Sequence, residues 1–472
     1  MAKAASVTKK SATKKRKIRF RCGLSVTSAV LEVLKTRPGW TQADAEDDSW
    51  DLFWCDISHL KDILSYPCMG SQNESTRKRA LEPRQRIPHF RNHYELSRKN
   101  LLVRNLKRYR KLLLREKGHL QDAELCESMP LSFELPSEYM MFVEEFRKNH
   151  GSTWIVKPAI GSQGRGIFLF QKLRDLNSIK NMRDDSAGDL ASSIGTSFIV
   201  QRYIESPYLL AGRKFDLRLY VLVTSFTPLK IWLAREGFAR LSGVDYDLSD
   251  LKDTKAHLTN VSIQIEVPSN SNGIKWNLNS LRKFLTMKHG SLVVEILMQR
   301  IARLITVSLR SVQTTIIQDP HCFELYGYDV LIDEHLYPWL IEVNASPALT
   351  PTDQDDYCLK YNLISDVLNI LDYEGKLTGH ERRVGGFDLL WNDGPVHWIP
   401  PGSDCGPISY PTAMIPTEVG GDKEKLTPRL NAFLGCHNDR ALQLHQLEEC
   451  ISTWKNATKW QKEDAAMPKK EQ

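Results

Sequence analysis

Two predicted strands in the second half of the chain carry side chains that could bind a divalent cation. The apolar segments 323–330 and 338–347 flank a turn-forming stretch, and this pattern predicts a β-hairpin. Residues two apart share a strand face, so Asp329, Glu342 and Asn344 should converge on one side. Two carboxylates and one amide oxygen are hard ligands, which suit Mg²⁺ bound with nucleotide phosphates better than zinc. The alternative is that both acids are solvated residues of an amphipathic hairpin.

A lysine and a glycine-rich loop upstream could bind phosphate. Segment 154–158 is predicted to be a strand that ends at Lys157 and Pro158, and loop 161–167 follows it. Glycines let backbone N–H groups approach phosphate oxygens. The loop is neither a Walker A loop nor a dinucleotide fingerprint, because no Gly-Lys-Ser/Thr follows it and a strand comes next. By itself it is weak evidence, since glycines in tight hairpins are usually only turns.

A third segment places three charges on one strand face. In segment 212–221, Lys214, Asp216 and Arg218 alternate with apolar residues, so one face is charged and the other is apolar. Solvated strand faces usually mix Thr, Ser and Lys, and this pattern therefore indicates a partly buried ionic site. Arg235 and the polar stretch at 257–260 add further groups beside apolar strands.

Several elements must hold these side chains in place. The second hairpin face, with Trp339, Ile341 and Val343, is predicted to pack against a core. An amphipathic helix is predicted at 292–312, with inward residues Val294, Leu297, Ile301, Leu304 and Ser308.

Another helix is predicted at 96–117, and its two faces differ in character. Its apolar stripe consists of Leu102, Leu106, Tyr109 and Leu113. The opposite face carries what we call the cationic ridge, which consists of Arg104, Arg108, Lys111 and Arg115. The ridge is either a docking surface or a soluble helix face, and the scarcity of neighbouring acids along the chain favours docking.

Composition bounds the class of protein. The 472 residues are 41% hydrophobic and 26% charged, which is typical of a globular chain with two or three domains. No apolar run approaches a membrane span, and no signal-peptide pattern follows the first methionine. The nine cysteines form no CxxC pair, which argues against zinc and disulfides and favours a reducing compartment. We therefore expect a soluble, intracellular protein.

The charge is uneven along the chain. The net charge is +7, residues 1–21 carry nine Lys/Arg and no acid, and residues 77–117 carry fifteen Lys/Arg against three acids. This asymmetry indicates an anionic partner: nucleic acid, a membrane surface or an acidic protein tail. For residues 1–17 a solvated disordered tail is the better interpretation.

Together these features resemble the ATP-grasp ligases and, within them, the tubulin tyrosine ligase-like family, over residues 18 to about 395. The segments at 91–96 and 384–389 indicate its short polyglutamylase branch. The resemblance implies an α/β (α+β) ATP-grasp fold, with the nucleotide held between antiparallel sheets. The implied divisions are a tail at 1–17, an N-terminal lobe at 18–98 with an exposed loop at 68–86, a central lobe at 99–225, a C-terminal lobe at 226–378 and a partly disordered extension at 379–472.

The resemblance also implies a role for each candidate site residue. Residues expected to bind ATP are Lys157, Gln163, Gly164, Gln201, Arg202, Tyr203, Ile204, Lys214, Asp216, Thr259 and Asn260. Residues expected to act in catalysis are Lys157, Lys214, Arg218 and Arg235. Residues expected to bind substrate are Lys99, Arg235 and Ser262. The expected ligands of two Mg²⁺ ions are Asp329, Glu342 and Asn344.

The chemistry implied is ATP-dependent amide formation. ATP phosphorylates an acceptor carboxylate, and the amine of a free amino acid then displaces phosphate. We expect free glutamate as that amino acid and the acidic tail of tubulin as acceptor. Alternatives are a glycine or tyrosine ligase, an ATP-grasp ligase with a small-molecule acceptor, or a catalytically silent microtubule- or nucleic-acid-binding protein.

The expected setting is the cytoplasm and cytoskeleton, with microtubules, a cilium or flagellum and its basal body. Neither nucleic acid nor membrane is an expected partner of the ligase. The last seventy residues are not strongly cationic, unlike the basic extension of self-sufficient members of the family, and we therefore expect activity only with accessory subunits. The sequence leaves open α- or β-tubulin preference and whether side chains are started or lengthened.

Overall fold

The computed structural model describes residues 17–24, 26–44, 47–64, 81–116, 118–161, 164–177, 197–264 and 275–396. Three predictions fall wholly or mainly outside these ranges. They concern the basic tail at 1–17, most of the loop at 68–86, and the extension beyond residue 396. Gln163 also lies outside the described residues.

The fold contains helices and three β-sheets. The α-helices described are α1 (Ser28–Thr36), α2 (Leu60–Ile63), α3 (Tyr94–Ser97), α4 (Lys99–Leu113), α5 (Leu120–Leu125), α6 (Tyr139–Lys148), α7 (Thr254–His257), α8 (Val261–Gln264), α9 (Leu278–His289), α10 (Ser291–Gln313) and α11 (Gln354–Leu371). Among the described residues, no helix is both long enough and apolar enough to cross a membrane.

The first two sheets are small. Sheet I is parallel, in the order β2-β1-β3, and contains β1 (Ile18–Cys22), β2 (Trp40–Gln42) and β3 (Leu52–Trp54). Sheet II is antiparallel, in the order β4-β7-β5-β6, and contains β4 (Ser132–Leu135), β5 (Trp154–Pro158), β6 (Phe168–Phe170) and β7 (Phe198–Arg202).

Sheet III is the largest and is antiparallel. Its main path runs β13-β12-β9-β10-β15-β14, with β8 on β9 and β11 on β10. Its strands are β8 (Leu209–Leu210), β9 (Arg213–Phe226), β10 (Leu229–Leu241), β11 (Lys275–Asn277), β12 (Glu324–Ile332), β13 (Pro338–Asn344), β14 (Arg383–Val384) and β15 (Phe387–Asn392). The boundary predicted between residues 225 and 226 falls at the end of β9, inside the β9–β10 hairpin.

Both faces of sheet III are covered, which explains the burial of β9. Leu217, Leu219 and Val221 point to one core, which α10 completes. Tyr220 and Leu222 point to the other core, with α11 on top. Side chains alternate along a strand, so the charged residues at 214, 216 and 218 share the α11 face. Beyond the end of that apolar core the face opens into a cleft.

The predicted hairpin at 323–347 is confirmed as β12–β13, and Asp329 lies opposite Glu342. The predicted core face is confirmed for Val343 and is wrong for Trp339 and Ile341. Trp339 is only half-buried, and its Nε1 donates to Asp333 at 2.9 Å. A β-bulge follows Asp329, so that Val330 pairs with Leu340 and the alternation of side chains shifts. As a result Val343 and Leu340 are in the core, whereas Ile341 lines the cleft.

The helix predicted at 96–117 is broken in two. Arg98 is extended and separates α3 from α4, and α4 ends at Leu113, so Arg115 lies beyond it. The stripe residues Leu102, Leu106 and Leu113 are buried as predicted, and the cationic ridge is exposed. The helix predicted at 292–312 is confirmed as α10, with all five inward residues buried.

The cationic ridge is less isolated from acids than its chain neighbourhood indicates. Arg104 forms an ion pair of 3.0 Å with Glu134 of β4. Arg108 donates instead to the hydroxyl of Thr315, at 2.8 Å. The fold therefore neutralises part of the ridge with a carboxylate from a distant segment, which local charge counting does not detect.

Candidate active site

A cleft lies between sheets II and III, and residues of both sheets line it. Strands β5 and β7 form one wall, and β9, β10, β12 and β13 form the other. The apolar side chains of Ile155, Ile167, Leu258, Leu331 and Ile341 line part of it. This lining can cover a flat aromatic base, while the charged groups lie further along the β9 face.

Lys157 is buried at the end of β5. Its Nζ donates to Oε1 of Gln201 at 2.7 Å, and Nε2 of Gln201 donates to the hydroxyl of Ser132 at 2.9 Å. Burial lowers the pKa of the Lys157 ammonium to about 8, because the charged form is poorly solvated there. Gln201 thus contacts Lys157, the lysine expected to bind phosphate. It also lines the cleft, where the family resemblance assigns it to the adenine-binding linker.

Lys214 of β9 is a second buried lysine in the same cleft. Its Nζ donates to the hydroxyl of Tyr203 and to the carbonyl of His257, each at 2.8 Å. Burial lowers the pKa of its ammonium to about 7. Within the described residues, neither Lys157 nor Lys214 has a carboxylate oxygen within ion-pair distance, so both can meet an anionic ligand.

Four charged residues form a buried chain beside these lysines. Arg240 of β10 donates to both oxygens of Asp216, at 2.7 and 2.5 Å, and its Nη2 lies 2.8 Å from Oδ2 of Asp329. Arg218 donates to both oxygens of Asp329, at 2.6 and 3.1 Å. Burial would raise the pKa of Asp329, but Arg218 and Arg240 hold it well below its ordinary value. Asp216 also accepts from the hydroxyl of Thr259 at 2.8 Å.

At the rim of the cleft, helix α4 contacts the β12–β13 hairpin, which we call the metal-type hairpin because it carries the candidate metal ligands Asp329, Glu342 and Asn344. Lys99, the first residue of α4, places Nζ 3.1 Å from Oε2 of Glu342. The same ammonium donates to the carbonyl of Gly161, at 3.2 Å. Asn344 donates through Nδ2 to Oε1 of Glu342, at 3.3 Å, and within the described part of the chain its own amide oxygen accepts no hydrogen bond. Lys99 therefore contacts both the glycine-rich loop and a candidate metal ligand.

Gly164 requires the freedom of glycine. Its φ is +76°, and a Cβ there would lie 2.5 Å from Cδ1 of Ile263. Any side chain would be strained at this φ and would displace Ile263. The Oδ1 atom of Asn260 is also close, and both Gly164 and Asn260 line the cleft.

The structure brings most of the predicted site residues into one cleft. Those that line it are Lys99, Lys157, Gly164, Gln201, Arg202, Tyr203, Ile204, Lys214, Asp216, Thr259, Asn260, Asp329 and Glu342. Arg218 and Asn344 contact lining residues, as described above. Ser262 is exposed and is outside the lining.

Arg235 lies away from this cleft, at a second concavity between β10 and α11. Its Nη1 donates to Oδ1 of Asp388 at 2.7 Å, and Nη2 donates to the carbonyl of Gly385. Arg383 donates to the same oxygen of Asp388, at 3.0 Å. Burial raises the pKa of Asp388 to about 6, although Arg235 and Arg383 oppose the shift. The site is therefore one cleft plus a separate arginine cluster.

The donor set at the hairpin fits a magnesium ion. Asp329 and Glu342 supply carboxylate oxygens, and Asn344 supplies an amide oxygen, all of the hard type that Mg²⁺ prefers. Among the described residues, no cluster of three or more His, Cys, Asp or Glu side chains could hold a metal. A two-carboxylate set is typical of sites where a nucleotide completes the coordination of Mg²⁺.

Arg240 is the main residue that sequence reasoning missed. It precedes an ordinary turn, and no nearby residue in the chain marks it as part of an ionic site. The signal appears only when β9 and β10 are paired antiparallel, because Arg240 then lies opposite Asp216. Ser132, which accepts from Gln201, has no sequence signal of this kind.

The fold and the cleft define an ATP-dependent ligase of the ATP-grasp type, and comparison with known families agrees. The profile of the tubulin-tyrosine ligase family matches residues 76–377, and the chain belongs to that family. Three named relatives illustrate the similarity. "Probable tubulin polyglutamylase TTLL9" of Rattus norvegicus is 44% identical over 471 residues, which cover 93% of this chain and 94% of the rat protein.

Two further relatives are similar to this chain over most of their own length. "Probable tubulin polyglutamylase ttll-9" of Caenorhabditis elegans is 43% identical over 80% of this chain and 85% of its own length. "Probable alpha-tubulin polyglutamylase Ttll1" of Tetrahymena thermophila is 42% identical over 75% of this chain and 88% of its own length. The similarity thus extends over most of each protein, and the family profile covers every residue that lines the cleft.

Proposed function

We propose that this chain is a tubulin polyglutamylase, which joins free glutamate to a glutamate side chain of a tubulin tail in an ATP- and Mg²⁺-dependent reaction. One structural observation carries the proposal. Two buried lysines, which have no carboxylate partner among the described residues, face a two-carboxylate hairpin across one cleft, as a ligase that binds a metal–nucleotide complex requires. The names of the relatives supply the acceptor and the added residue.

Two displacements account for the reaction. An acceptor carboxylate oxygen bonds to the γ-phosphorus of ATP, and the bond to the β-γ bridging oxygen breaks to release ADP. The amine of glutamate then bonds to the acyl carbon, the acyl–oxygen bond breaks, and phosphate leaves with an amide formed. A proton is lost from the amine. No side-chain nucleophile is required, in agreement with a cleft of lysines, arginines and carboxylates.

The residues of the cleft would divide this work. Lys157 and Lys214 would bind the polyphosphate and offset the charge on the transferred group. Bound Mg²⁺, with Asp329, Glu342 and Asn344 as its protein ligands, would neutralise phosphate charge. Asp216, held by Arg240 and Thr259, would accept from the ribose hydroxyls. The linker Gln201–Ile204, with the apolar lining, would cover the adenine, and Gln163 and Gly164 would close over the phosphates.

Amino-acid recognition would use the arginines. Arg218 contacts Asp329 of the cleft lining and would stabilise the acyl-phosphate from beside it. Arg235 lies at the second concavity, where its guanidinium already donates to Asp388 and Gly385, so a role in binding the amino acid would require this arginine to exchange those partners. Glycine and tyrosine carry an α-carboxylate as glutamate does, and the choice of glutamate therefore rests on the names of the relatives. Lys99 would complete the rim, and Ser262, which is exposed beyond it, would contact the amino acid only from outside the cleft.

The acceptor would approach along the cationic ridge of α4. Because Arg104 is already paired with Glu134, the ridge's attraction for a Glu-rich tail would come mainly from Arg108, Lys111 and Arg115. We further propose accessory subunits and a location on the microtubules of a cilium or flagellum and its basal body. The alternative of a catalytically silent scaffold would need loss of a phosphate or metal residue, and the full set is present.

The test is incorporation of labelled glutamate, glycine and tyrosine into tubulin, with ATP and Mg²⁺. The recombinant chain is assayed beside the protein purified from ciliated-cell extract, and Lys157→Met serves as the inactive control. Incorporation of glutamate that is lost in Lys157→Met would support the proposal. If only the extract-derived protein incorporates glutamate, accessory subunits are required. Incorporation of glycine or tyrosine instead would refute the glutamate assignment, and absence of ATP binding would refute the ligase.

A further inference from the structure

Both carboxylates of the metal-type hairpin are already paired with cations of the protein. Asp329 accepts two hydrogen bonds from Arg218 and lies 2.8 Å from Arg240. Glu342 lies 3.1 Å from the ammonium of Lys99. A divalent cation that entered alone would therefore have to displace, or lie beside, groups of its own charge.

The net charge of the cleft also disfavours a divalent cation that enters alone. Its lining and the residues in contact with it include seven cations, namely Lys99, Lys157, Arg165, Arg202, Lys214, Arg218 and Arg240. The carboxylates in the lining are three, namely Asp216, Asp329 and Glu342. With the lysines protonated the excess is therefore positive (seven less three). A polyphosphate lowers this excess on binding, whereas a divalent cation raises it.

The two metal-type carboxylates differ in how firmly they are held. Arg218 and Arg240 are buried and grip Asp329 through several hydrogen bonds. Lys99 makes a single contact to Glu342, and the two side chains are 11% and 21% exposed. Lys99 also reaches the carbonyl of Gly161, in the loop that would contact phosphate. A phosphate arriving at that loop would offer Lys99 a stronger partner and leave Glu342 available.

We propose that Lys99 blocks Glu342 until nucleotide arrives, so that the polyphosphate binds before the divalent cation or together with it, and never after it. This inference rests on the proposed function, because it assumes that the cleft binds a nucleotide. Lys99 would thus change partner: it pairs with Glu342 in the free cleft and with phosphate once nucleotide is bound.

The test measures binding rather than turnover. Binding of Mn²⁺ to the full chain is followed by loss of the free-ion EPR signal, with and without a non-hydrolysable ATP analogue, at pH 6.5 so that the lysines are protonated. Nucleotide binding is measured separately by calorimetry in EDTA. The wild-type chain should bind the analogue in EDTA, should bind Mn²⁺ in its presence, and should bind Mn²⁺ at least tenfold more weakly without it.

Variants at Lys99 identify the block. Lys99→Met should strengthen nucleotide-free binding of Mn²⁺ at least tenfold, because Glu342 is then unpaired and still partly exposed. Lys99→Arg keeps the charge and should keep the block. Lys111→Met, on the same helix about 18 Å further along its axis, is the matched control and should behave as the wild type. Circular dichroism and melting temperature establish that each variant is folded.

The outcomes separate this inference from the proposed function. Wild-type binding of Mn²⁺ that is equally tight with and without nucleotide would overturn the inference, as would a Lys99→Met chain indistinguishable from Lys111→Met. Either result leaves nucleotide binding intact. Failure of the wild-type chain to bind the analogue, with or without metal, would instead overturn the proposed function.

Discussion

Replacing Arg240 by Met should destabilise the protein strongly, because this residue joins two buried carboxylates. Arg240 is 5% exposed, Asp216 6% and Asp329 1%. Without Arg240, Asp329 keeps Arg218, whereas Asp216 keeps, among the residues that the structure describes, only the hydroxyl of Thr259 as a side-chain donor. Breaking a buried ion pair by removing one partner costs about 3–5 kcal/mol. At roughly 2–4 °C per kcal/mol for a large domain, the melting temperature should fall by about 6–20 °C.

The assay is thermal unfolding followed by circular dichroism, with a matched control on the same sheet. Arg213 of β9 forms a loose pair of 3.9 Å with Asp245, whose side chain is 81% exposed. Arg213→Met should therefore cost no more than about 1 kcal/mol. If Arg240→Met melts within 2 °C of the Arg213→Met variant, Arg240 does not hold the two carboxylates and the argument for a buried ionic chain fails.

The stability that ionised Asp329 contributes depends on pH, and the sign of this dependence follows from its pKa. The folded-state pKa of Asp329 is depressed, so its contribution to stability is present above the unfolded-state pKa of about 3.9 and is lost as the pH falls through the folded-state value. In Arg240→Met the attraction that depresses this pKa is weaker. The difference in melting temperature between wild type and variant should therefore stay nearly constant between pH 7 and pH 4, and should shrink only at lower pH, where Asp329 becomes protonated in the folded state. A difference that does not shrink below pH 4 would mean that the destabilisation has another cause, such as lost packing.

Three further predictions concern ligands. Glu342→Gln should abolish amide formation and leave the melting temperature within about 3 °C of wild type, because the side chain lies partly exposed at the cleft rim; retained turnover would refute its metal role. Affinity for ATP in EDTA should fall at least about tenfold between pH 6.5 and pH 8.5, because Lys157 and Lys214, whose pKa values are about 8 and 7, lose their protons. Calorimetry in two buffers should detect proton uptake on binding, and a flat affinity profile would contradict this. Arg108→Glu combined with Lys111→Glu should weaken binding to microtubules more at low salt than at high salt, and cosedimentation with unchanged affinity at both would remove the ridge from the docking model.

Period-two alternation made the site predictable. In β9, charged and apolar residues alternate from Lys214 to Leu219, and such a charged face is either a buried ionic site or a solvated strand face. In the β12–β13 hairpin the three polar residues Asp329, Glu342 and Asn344 share a face, although a bulge interrupts the alternation of side chains. Lys214, Asp216 and Arg218 are buried on one face, as the pattern indicates. The pairing of Asp329 with Glu342 followed from the hairpin alone.

What could not be predicted depends on contacts between distant segments. The bulge that turns Ile341 towards the cleft has no sequence signature, because its cause is the fit of β13 to β12. Arg240 gains its role only from register with Asp216. Arg104 meets Glu134 because β4 packs near α4, and the break at Arg98 places Lys99 at the start of a new helix, where it reaches Glu342.

The two-faced character of β9 sets how this strand can vary among related sequences. Inserting or deleting one residue would exchange the faces, which would drive Lys214, Asp216 and Arg218 into the apolar core beneath α10 and expose Leu217 and Leu219 to the cleft. Single substitutions on either face alter one contact, whereas a change of length inverts the whole strand. Related chains should therefore differ in residue type along β9 but contain no gaps between residues 213 and 223, and length variation should be confined to the turns that flank it.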